Sequence, residues 1–329
     1  MTFPLISVII PTYNEEKNIA KVIRVIRDQE YPTSRIEILV IDDYSTDNTV
    51  VIAKKLRAKI FFSGARHIER SKSIGIEHAK GEFLLFADAD IQLVGKHWLK
   101  KAVEPLIQDP DIVGAQAIYW KYSKKHNVYN RYSELYGVND PFVYMLGNRG
   151  VVSGSENSWM YPETVSAETS TYFIAQFTSS NLPTIGSQGY LARTSFIKRY
   201  TNWSPYFFHL DTTAELVEKK KNRFALMKLS VEHDYVTSFY MFHKKLYRNL
   251  FLFLRYRHLR KYTYGVGSQN FYRTLVIMMT MIVPLYQAIR GYRKIHDPAW
   301  FLHPLFCITV PLMYFYVYAL WHLFPARRV

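Results

Sequence analysis

Acidic residues are scarce in this chain, and cysteine is nearly absent. Its 329 residues include 27 Asp and Glu against 42 Lys and Arg, a formal net charge of +15. An excess of that size implies a polyanionic partner: nucleic acid, anionic lipid or phosphorylated substrates. The shortage is also local, since no Asp or Glu occurs from Tyr235 through His296. A single cysteine, Cys307, excludes an intramolecular disulfide and a cysteine-based zinc cluster. The first residues lack a charged n-region and a long apolar h-region, so no signal peptide is expected and the first domain should stay in the cytosol. What is abundant is apolar: hydrophobic residues make up 49% and aromatics 16%, which favours a large core over disorder. The length suits one large domain or two modest ones.

The most informative stretch is residues 81–92, Gly-Glu-Phe-Leu-Leu-Phe-Ala-Asp-Ala-Asp-Ile-Gln. The apolar run from Phe83 to Ala87 reads as a fully buried strand. It ends in Asp88 and Asp90, which share a face at i, i+2 spacing in a regular strand. Carboxylates at the end of a buried strand are costly unless something cationic meets them. Oxygen ligands suit Mg2+ or Mn2+, and such ions commonly bridge to substrate phosphates. One reading is a metal–diphosphate site at the carboxyl end of a sheet strand, where open α/β sheets place ligands. The other is a polar strand end turning into a loop.

The rest of the N-terminal half supplies a setting. Ile6–Ile10 is short, apolar and β-branched, hence a buried strand. Pro11-Thr-Tyr-Asn-Glu-Glu16 breaks it. Ile19, Val22, Ile23 and Ile26 then recur at helical spacing. Ile36–Ile41 is a second strand, followed by Asp42-Asp-Tyr-Ser-Thr-Asp-Asn-Thr49, with Thr46 or Asp47 as N-cap of a helix reaching about Leu56. Ile60–Phe62 is a third short strand, and a helix near Ser71–His78 leads to the Asp-x-Asp strand. Strands alternating with helices predict an α/β fold with a parallel, doubly wound sheet. The polar loops at 11–16, 42–49 and 88–92 would then emerge on one rim.

These three motifs together, Ser7-Val-Ile-Ile-Pro-Thr-Tyr-Asn-Glu-Glu16, Ile41-Asp-Asp-Tyr-Ser-Thr-Asp-Asn-Thr49 and Gly81-Glu-Phe-Leu-Leu-Phe-Ala-Asp-Ala-Asp90, resemble the inverting family 2 glycosyltransferases of the GT-A fold, over roughly residues 5–235. The resemblance implies that Tyr13 stacks on a nucleobase, that Pro11 and Glu15 line the base and ribose pocket, and that Asp43 hydrogen-bonds the base. Asp88 would contact the ribose or metal, and Asp90 would hold the Mg2+ or Mn2+ that bridges the diphosphate. Asp88-Ala-Asp-Ile-Gln92 further resembles the dolichol-phosphate-mannose synthase branch, where the glutamine joins the metal shell. The Arg-Asn-x-Gly usual in the family is replaced by Lys72-Ser73-Ile74-Gly75. Lys72 can still neutralise a phosphate but lacks the bidentate fork of arginine; Arg70 is a nearby substitute.

Further along, His97–Ile107 reads as an amphipathic helix and Ile112–Trp120 as a strand. Residues 121–182 form an insertion or acceptor region, in which Tyr129, Tyr132 and Tyr136 share a helix face, packed on the main sheet or serving as an acceptor platform. Asn148–Ser170 lacks a period and is expected to be a loop or lid. Pro183-Thr-Ile-Gly-Ser-Gln188-Gly189 looks like the family's small-residue segment before the acceptor site, which makes Gln188 an acceptor-side candidate. Where the family often has Glu-Asp as general base, Phe208-His-Leu-Asp211 lacks the first acid, and the remaining Asp211 is the expected catalytic base, which also suits the N-cap of the helix after it. His209 is a second acceptor-side candidate.

Phe239–Lys261 interleaves aromatics and leucines with Lys244, Lys245, Arg248, Arg255, Arg257, Arg260 and Lys261, as expected of a basic amphipathic helix on an anionic bilayer surface. The apolar segments Leu275–Ile289, containing Pro284, and Pro304–Phe324 follow, and turn this reading away from nucleic acid. Two membrane helices are expected, although Arg290, Arg293 and Lys294 in the connecting loop oppose the positive-inside rule, whereas Arg327 and Arg328 fit a cytosolic end. The first segment could instead be tilted or re-entrant.

The organisation expected is a GT-A domain over 1–235, a basic juxtamembrane segment over 236–268 and membrane-anchoring helices over 269–329. The activity expected is metal-dependent, inverting transfer of one sugar from a UDP- or GDP-linked donor to a lipid-linked glycan or polyprenyl phosphate, at the cytoplasmic face of the cell membrane. A non-catalytic membrane-anchored scaffold that binds nucleotide-sugar is the alternative. The Gln-x-x-Arg-Trp motif of processive synthases is absent.

Overall fold

The structure, a computed structural model, describes residues 3–64, 66–262 and 268–324. The chain divides into two compact units, one of residues 1–121 and 159–233, the other of 122–158 and 234–329.

The first unit is built on a mixed sheet of ten strands. They are β1 (Ile6–Thr12), β2 (Ile36–Asp42), β3 (Lys59–Phe62), β4 (Phe83–Phe86), β5 (Ile91–Leu93), β6 (Ile112–Trp120), β7 (Val165–Glu168), β8 (Tyr172–Gln176), β9 (Tyr190–Arg193) and β10 (Arg223–His233). The order is β3-β2-β1-β4-β9-β6-β10-β8-β7, with β5 paired to β10. Strands β3, β2, β1 and β4 are mutually parallel, as the alternation of strands and helices requires. Strand β9 runs antiparallel between β4 and β6. Every residue of β1, β2 and β4 is buried. Each Ile, Val or Leu there contributes about 1.5–3 kcal/mol of hydrophobic stabilisation.

Helix Ile19–Arg27 buries Ile19, Val22, Ile23 and Ile26, the residues whose spacing predicts it. Helix Ile68–His78 lies so close to β1 that a Cβ on Gly75 would come within 2.4 Å of Ile9 Cγ2. Only glycine permits that approach, which fixes where Lys72, one turn earlier, is held. The stretch read as a loop or lid over 148–170 ends in an edge strand, because Val165–Glu168 pairs with β8. Its sequence, Val-Ser-Ala-Glu, is short and polar because only one side of an edge strand is paired.

The second unit is helical. Asn127 caps helix Val128–Tyr136 by accepting from the backbone N–H groups of Tyr129 and Asn130. Tyr132 and Tyr136 pack against Phe306 and Trp300, with ring centroids 4.8 and 4.6 Å apart. The tyrosine face, expected to pack on the main sheet or to serve as an acceptor platform, puts Tyr132 and Tyr136 in this helical core. Asp297 ties the unit together: Tyr122 Oη and Arg131 Nε donate to its Oδ2 at 2.7 and 2.8 Å. The basic helix runs from Phe239 to Arg255, shorter than expected, and Ser238 caps it. The segment read as one apolar span is broken: helices Gln269–Met279 and Ile282–Lys294 meet at 71°. The break falls at Met281, whose φ of +60° no helix allows, and not at Pro284, which sits harmlessly in the next helix's first turn. Pro298–Leu323, 26 residues, is long and apolar enough to cross a membrane. Arg327 and Arg328 lie outside the described residues.

Candidate active site

The predicted site residues gather where β1, β2 and β4 end. Pro11 lies buried as the penultimate residue of β1. The loops after β1 and β2 are laced together by their own polar groups. Asn14 N donates to Ser45 Oγ at 2.8 Å, Thr46 N to Asn14 Oδ1 at 2.9 Å and Glu15 N to Thr49 Oγ1 at 2.7 Å. Thr12 and Ser45 both donate to Asp42. Such ties hold Asn14 and Tyr44 at φ of +55° and +56°, conformations that need local support. The helix start after β2 is capped from just outside: Asp47 Oδ1 accepts from Thr49 N at 3.0 Å, while Asn48 occupies the cap position.

This scaffold leaves Tyr13 41% exposed, with the Arg66 guanidinium 4.9 Å from its ring centre. Glu15 accepts from Asn18 Nδ2 at 2.8 Å. Asp43 is buried, and its Oδ1 has no hydrogen-bond partner among the described residues. A buried acceptor of that kind is costly unless something donates to it.

At the end of β4, Lys72 Nζ stands 3.3 Å from Asp88 Oδ1. Burial alone would depress the lysine pKa, but Asp88, then Glu69 and Asp90, outweigh it and hold the pKa above its ordinary value. Of the two candidate bases Lys72 is the one at the carboxylates. Arg70 Nη1 donates instead to Pro205 O at 3.2 Å. Asp90 Oδ2 lies 3.6 Å from Nε2 of His233, a buried residue at the end of β10. Gln92 lies on β5, opposite Glu232 of β10.

A second group forms around helix His209–Glu218. Phe208 takes its cap position, so Asp211 is the third helical residue rather than the N-cap. An acid in the first turn is favourably placed toward the helix dipole, and Asp211 is 6% exposed. The preceding segment is pinned near the Asp-x-Asp strand, since Phe207 stacks on Phe86 at 4.4 Å and its N–H donates to Glu69 O at 2.9 Å. Gln116 clamps the small-residue loop, its Oε1 accepting from Gly186 N at 2.9 Å and its Nε2 donating to Gln188 O at 2.8 Å. Gly186 has φ of +100°, and a Cβ there would lie 2.7 Å from Thr213 Cγ2 and 3.2 Å from His209 O. Gly186, two residues before Gln188, and the His209–Asp211 turn are thus neighbours.

Sequence reasoning missed Gln116, His233 and Arg66. Gln116 was legible as a lone amide in an otherwise apolar strand, whereas nothing local marks the other two.

The paired carboxylates offer hard oxygen donors beside a fixed positive charge. Among the described residues no group of three or more His, Cys, Asp and Glu side chains closes a metal cage. A divalent ion held by Asp88 and Asp90 would keep positions open for water and phosphate oxygens, the usual arrangement for Mg2+ on a phosphorylated substrate. The donor set fits such an ion.

A family model described as Glycosyl transferase family 2 matches residues 7–179. The poly(ribitol-phosphate) beta-N-acetylglucosaminyltransferase TarS of Staphylococcus aureus is 36% identical over 102 residues, 29% of this chain and 18% of that protein. The dolichyl N-acetyl-alpha-D-glucosaminyl phosphate 3-beta-D-2,3-diacetamido-2,3-dideoxy-beta-D-glucuronosyltransferase of Methanococcus voltae is 33% identical over 130 residues, 36% of this chain and 40% of that protein. The match therefore spans less than half the length of either relative. Mannosyltransferase PcManGT from Pyrobaculum calidifontis, solved in complex with GDP-Man and Mn2+, superposes with a TM-score of 0.55 over 96% of this chain and 88% of that one, at 14% identity. The fold is of the GT-A type.

Proposed function

The chain belongs to glycosyl transferase family 2, and on that premise we propose that it transfers one sugar from a UDP- or GDP-linked donor to a lipid-linked acceptor at a membrane, with inversion at the anomeric carbon. The observation that carries this reading is the Lys72–Asp88 pair, 3.3 Å apart at the end of a buried strand, one strand away from the loop of Tyr13 and two from that of Asp43. A fixed cation beside carboxylates, on the same sheet rim as an unsatisfied acceptor and an exposed ring, suits a nucleoside diphosphate.

In this mechanism Tyr13 stacks on the base and Asp43 accepts a hydrogen bond from its N–H edge. Pro11 and Glu15 line the base and ribose. Asp88 and Asp90 would hold Mg2+ or Mn2+, with Gln92 two residues further along; when bound, such an ion would supply positive charge at the diphosphate. Lys72 adds a second positive charge there, already in place before the bond breaks. His233 restrains the Asp90 carboxylate. Asp211 takes the proton of the acceptor hydroxyl as its oxygen bonds to C1 and the C1–diphosphate bond breaks on the opposite face. Gln188 and His209 orient the acceptor. If the acceptor is a polyprenyl phosphate, it is already anionic and Asp211 positions it without taking a proton.

The lipid acceptor is supported by the basic, acid-free run after Tyr235 and by the name of the Methanococcus relative, which specifies a dolichyl phosphate-linked substrate. The catalytic unit is then cytoplasmic, where nucleotide-sugars are available. The test uses purified protein with Mn2+ or Mg2+, a membrane lipid extract and a panel of radiolabelled UDP- and GDP-sugars. Label should pass into the organic phase with one donor, and Asp211→Asn should stop it for a hydroxyl acceptor. Nucleotide bound without any transfer would overturn the proposal in favour of a non-catalytic scaffold.

A further inference from the structure

The apolar helix that ends the described chain is flanked by charge. Helix Phe239–Arg255 runs beside Leu302–Leu323 in the same direction. Phe242 stacks on Phe306 at 4.1 Å, His243 Nε2 is 2.9 Å from Thr309 Oγ1, and the rings of Tyr247 and Phe251 lie 6.5 and 5.3 Å from those of Tyr316 and Trp321. That flanking helix carries Lys244, Lys245, Arg248, Asn249 and Arg255. From another side, Tyr314 Oη donates to Asp140 Oδ2.

A helix rises about 1.5 Å per residue, so Tyr314 and Tyr316 lie roughly 18–21 Å from the helix start, well inside a hydrocarbon core of about 30 Å were the helix to cross one. Asp140, Lys245 and Arg248 would travel to that depth with them. Charges at mid-bilayer are heavily penalised unless paired or lining a cavity, yet Arg248 is exposed. The burial pattern has a simpler explanation. Leu305, Leu312, Tyr316 and Leu323 are 44, 51, 55 and 71% exposed and form one stripe along the helix. His303, Phe306, Val310 and Val317 are buried on the opposite side. One long side is therefore apolar and uncovered, and the other is packed on protein as far as Val317, near which Phe315 and Tyr318 are also 56 and 55% exposed.

The bent pair behaves similarly. Near its start Phe271 packs on Phe142, with centroids 4.9 Å apart. At its end Lys294 Nζ donates to Ser155 O at 3.3 Å. Both ends return to the same short segment, residues 142–155, while Ile282 and Tyr286, just past the bend, are 75 and 64% exposed. Residues 235–296 contain eleven Lys and Arg and no Asp or Glu. Such a run attracts anionic headgroups.

We propose that the helical unit is monotopic: helix Pro298–Leu323 lies in the plane of one leaflet with its apolar stripe immersed, the bent pair dips in and returns, and the occupant of this surface is an anionic phospholipid bilayer. The inference rests on the membrane-bound reading above and replaces the two crossing helices expected from the sequence.

The test places an environment-sensitive fluorophore on cysteines introduced in the full chain by Leu305→Cys, Leu312→Cys, Tyr316→Cys and Leu323→Cys, with the buried Cys307 retained and measured alone as background. The protein is bound to phosphatidylglycerol–phosphatidylcholine vesicles bearing lipid spin labels at shallow or deep positions. An in-plane helix gives one shallow depth at all four positions. A crossing helix separates Leu305 and Leu323 by about 27 Å along the normal and makes Leu312 and Tyr316 the deepest, which overturns the proposal. External dithionite should bleach the Leu305 and Leu323 labels alike, and protection of one alone overturns it. Should a substitution unfold the chain, Phe324→Cys gives the same comparison with Leu305→Cys. Replacing phosphatidylglycerol with phosphatidylcholine should lower the vesicle-bound fraction at least tenfold. Equal binding overturns the anionic partner, and no binding to either overturns the surface. Sugar transfer is assayed on the same vesicles: in-plane protein that transfers no sugar refutes the catalytic reading alone, and a crossing protein that does transfer refutes this one alone.

Discussion

Lys72 and Asp88 form an ion pair at 3.3 Å in which the lysine side chain is only 5% exposed and the aspartate 28%. The ammonium has no second route to solvent, so its charge is committed to the carboxylates and to whatever binds them. Replacing it by Lys72→Met should lower kcat/KM by about two to three orders of magnitude, the usual effect of removing one preorganised charge at a leaving group. The transfer assay measures this, and a thermal melt separates it from unfolding. The folded pKa is raised above 10.5, so the stability gained from the pair is complete below the unfolded value and is lost only as pH rises through the folded one. Lys72 should therefore contribute no inflection to the pH–rate profile between about pH 6 and 9.

Asp43→Asn tests base recognition. The exchange keeps the size of the side chain while removing its charge and one acceptor. Affinity for UDP or GDP should fall by about ten- to a hundredfold, the worth of a charge-assisted hydrogen bond. Isothermal titration with both nucleotides would also show which base the pocket takes.

Removal of the divalent ion should abolish transfer, and Mn2+ or Mg2+ should restore it. Asp90→Asn should weaken Mn2+ binding in the presence of the nucleotide by about tenfold or more, read directly from the free Mn2+ resonance signal and independently of turnover. His233→Ala should have a smaller effect in the same assay, because it touches Asp90 and not the ion.

Asp297 is 3% exposed and accepts from Tyr122, Arg131 and Ala299 N. Asp297→Ala leaves the Arg131 charge unpaired and should destabilise the helical unit by about 3 kcal/mol. Burial by itself would raise the carboxyl pKa, but the three donors and the Arg131 charge bring it below 3.8. A depressed acid stabilises the fold above its unfolded pKa and ceases to do so as pH falls through the folded value. The gap in melting temperature between the wild type and Asp297→Ala should be complete at pH 7 and close below about pH 4.

The parallel half of the sheet and its rim were legible because each element announces itself locally. Apolar runs end at Pro11, Asp42 and Asp88, and helical spacing of Ile19, Val22, Ile23 and Ile26 follows the first. The group around Asp211 was half legible: Asp211 stood out by type, but its place inside the helix depended on Phe208 taking the cap. What escaped was non-local. Tyr132 and Tyr136 share a helix face that says nothing of Trp300 and Phe306, more than 160 residues later. His233 meets Asp90 across 143 positions, and no spacing rule spans such a distance. The break at Met281 escaped because no glycine or proline marks it, and Pro284, in the next helix's first turn, is compatible with a helix.

Neither unit is a continuous stretch of chain: residues 122–158 interrupt the first and complete the second. During synthesis the helix carrying Tyr132 and Tyr136 leaves the ribosome long before Trp300 does. At 5–20 residues per second the delay is roughly 8–30 s. For that interval a cluster of tyrosines has no core to join, and the sheet cannot close until β10 emerges. The nascent chain should thus present a sticky aromatic segment early and for long, a natural recruiting point for a chaperone, and a place where slower translation would prolong the danger.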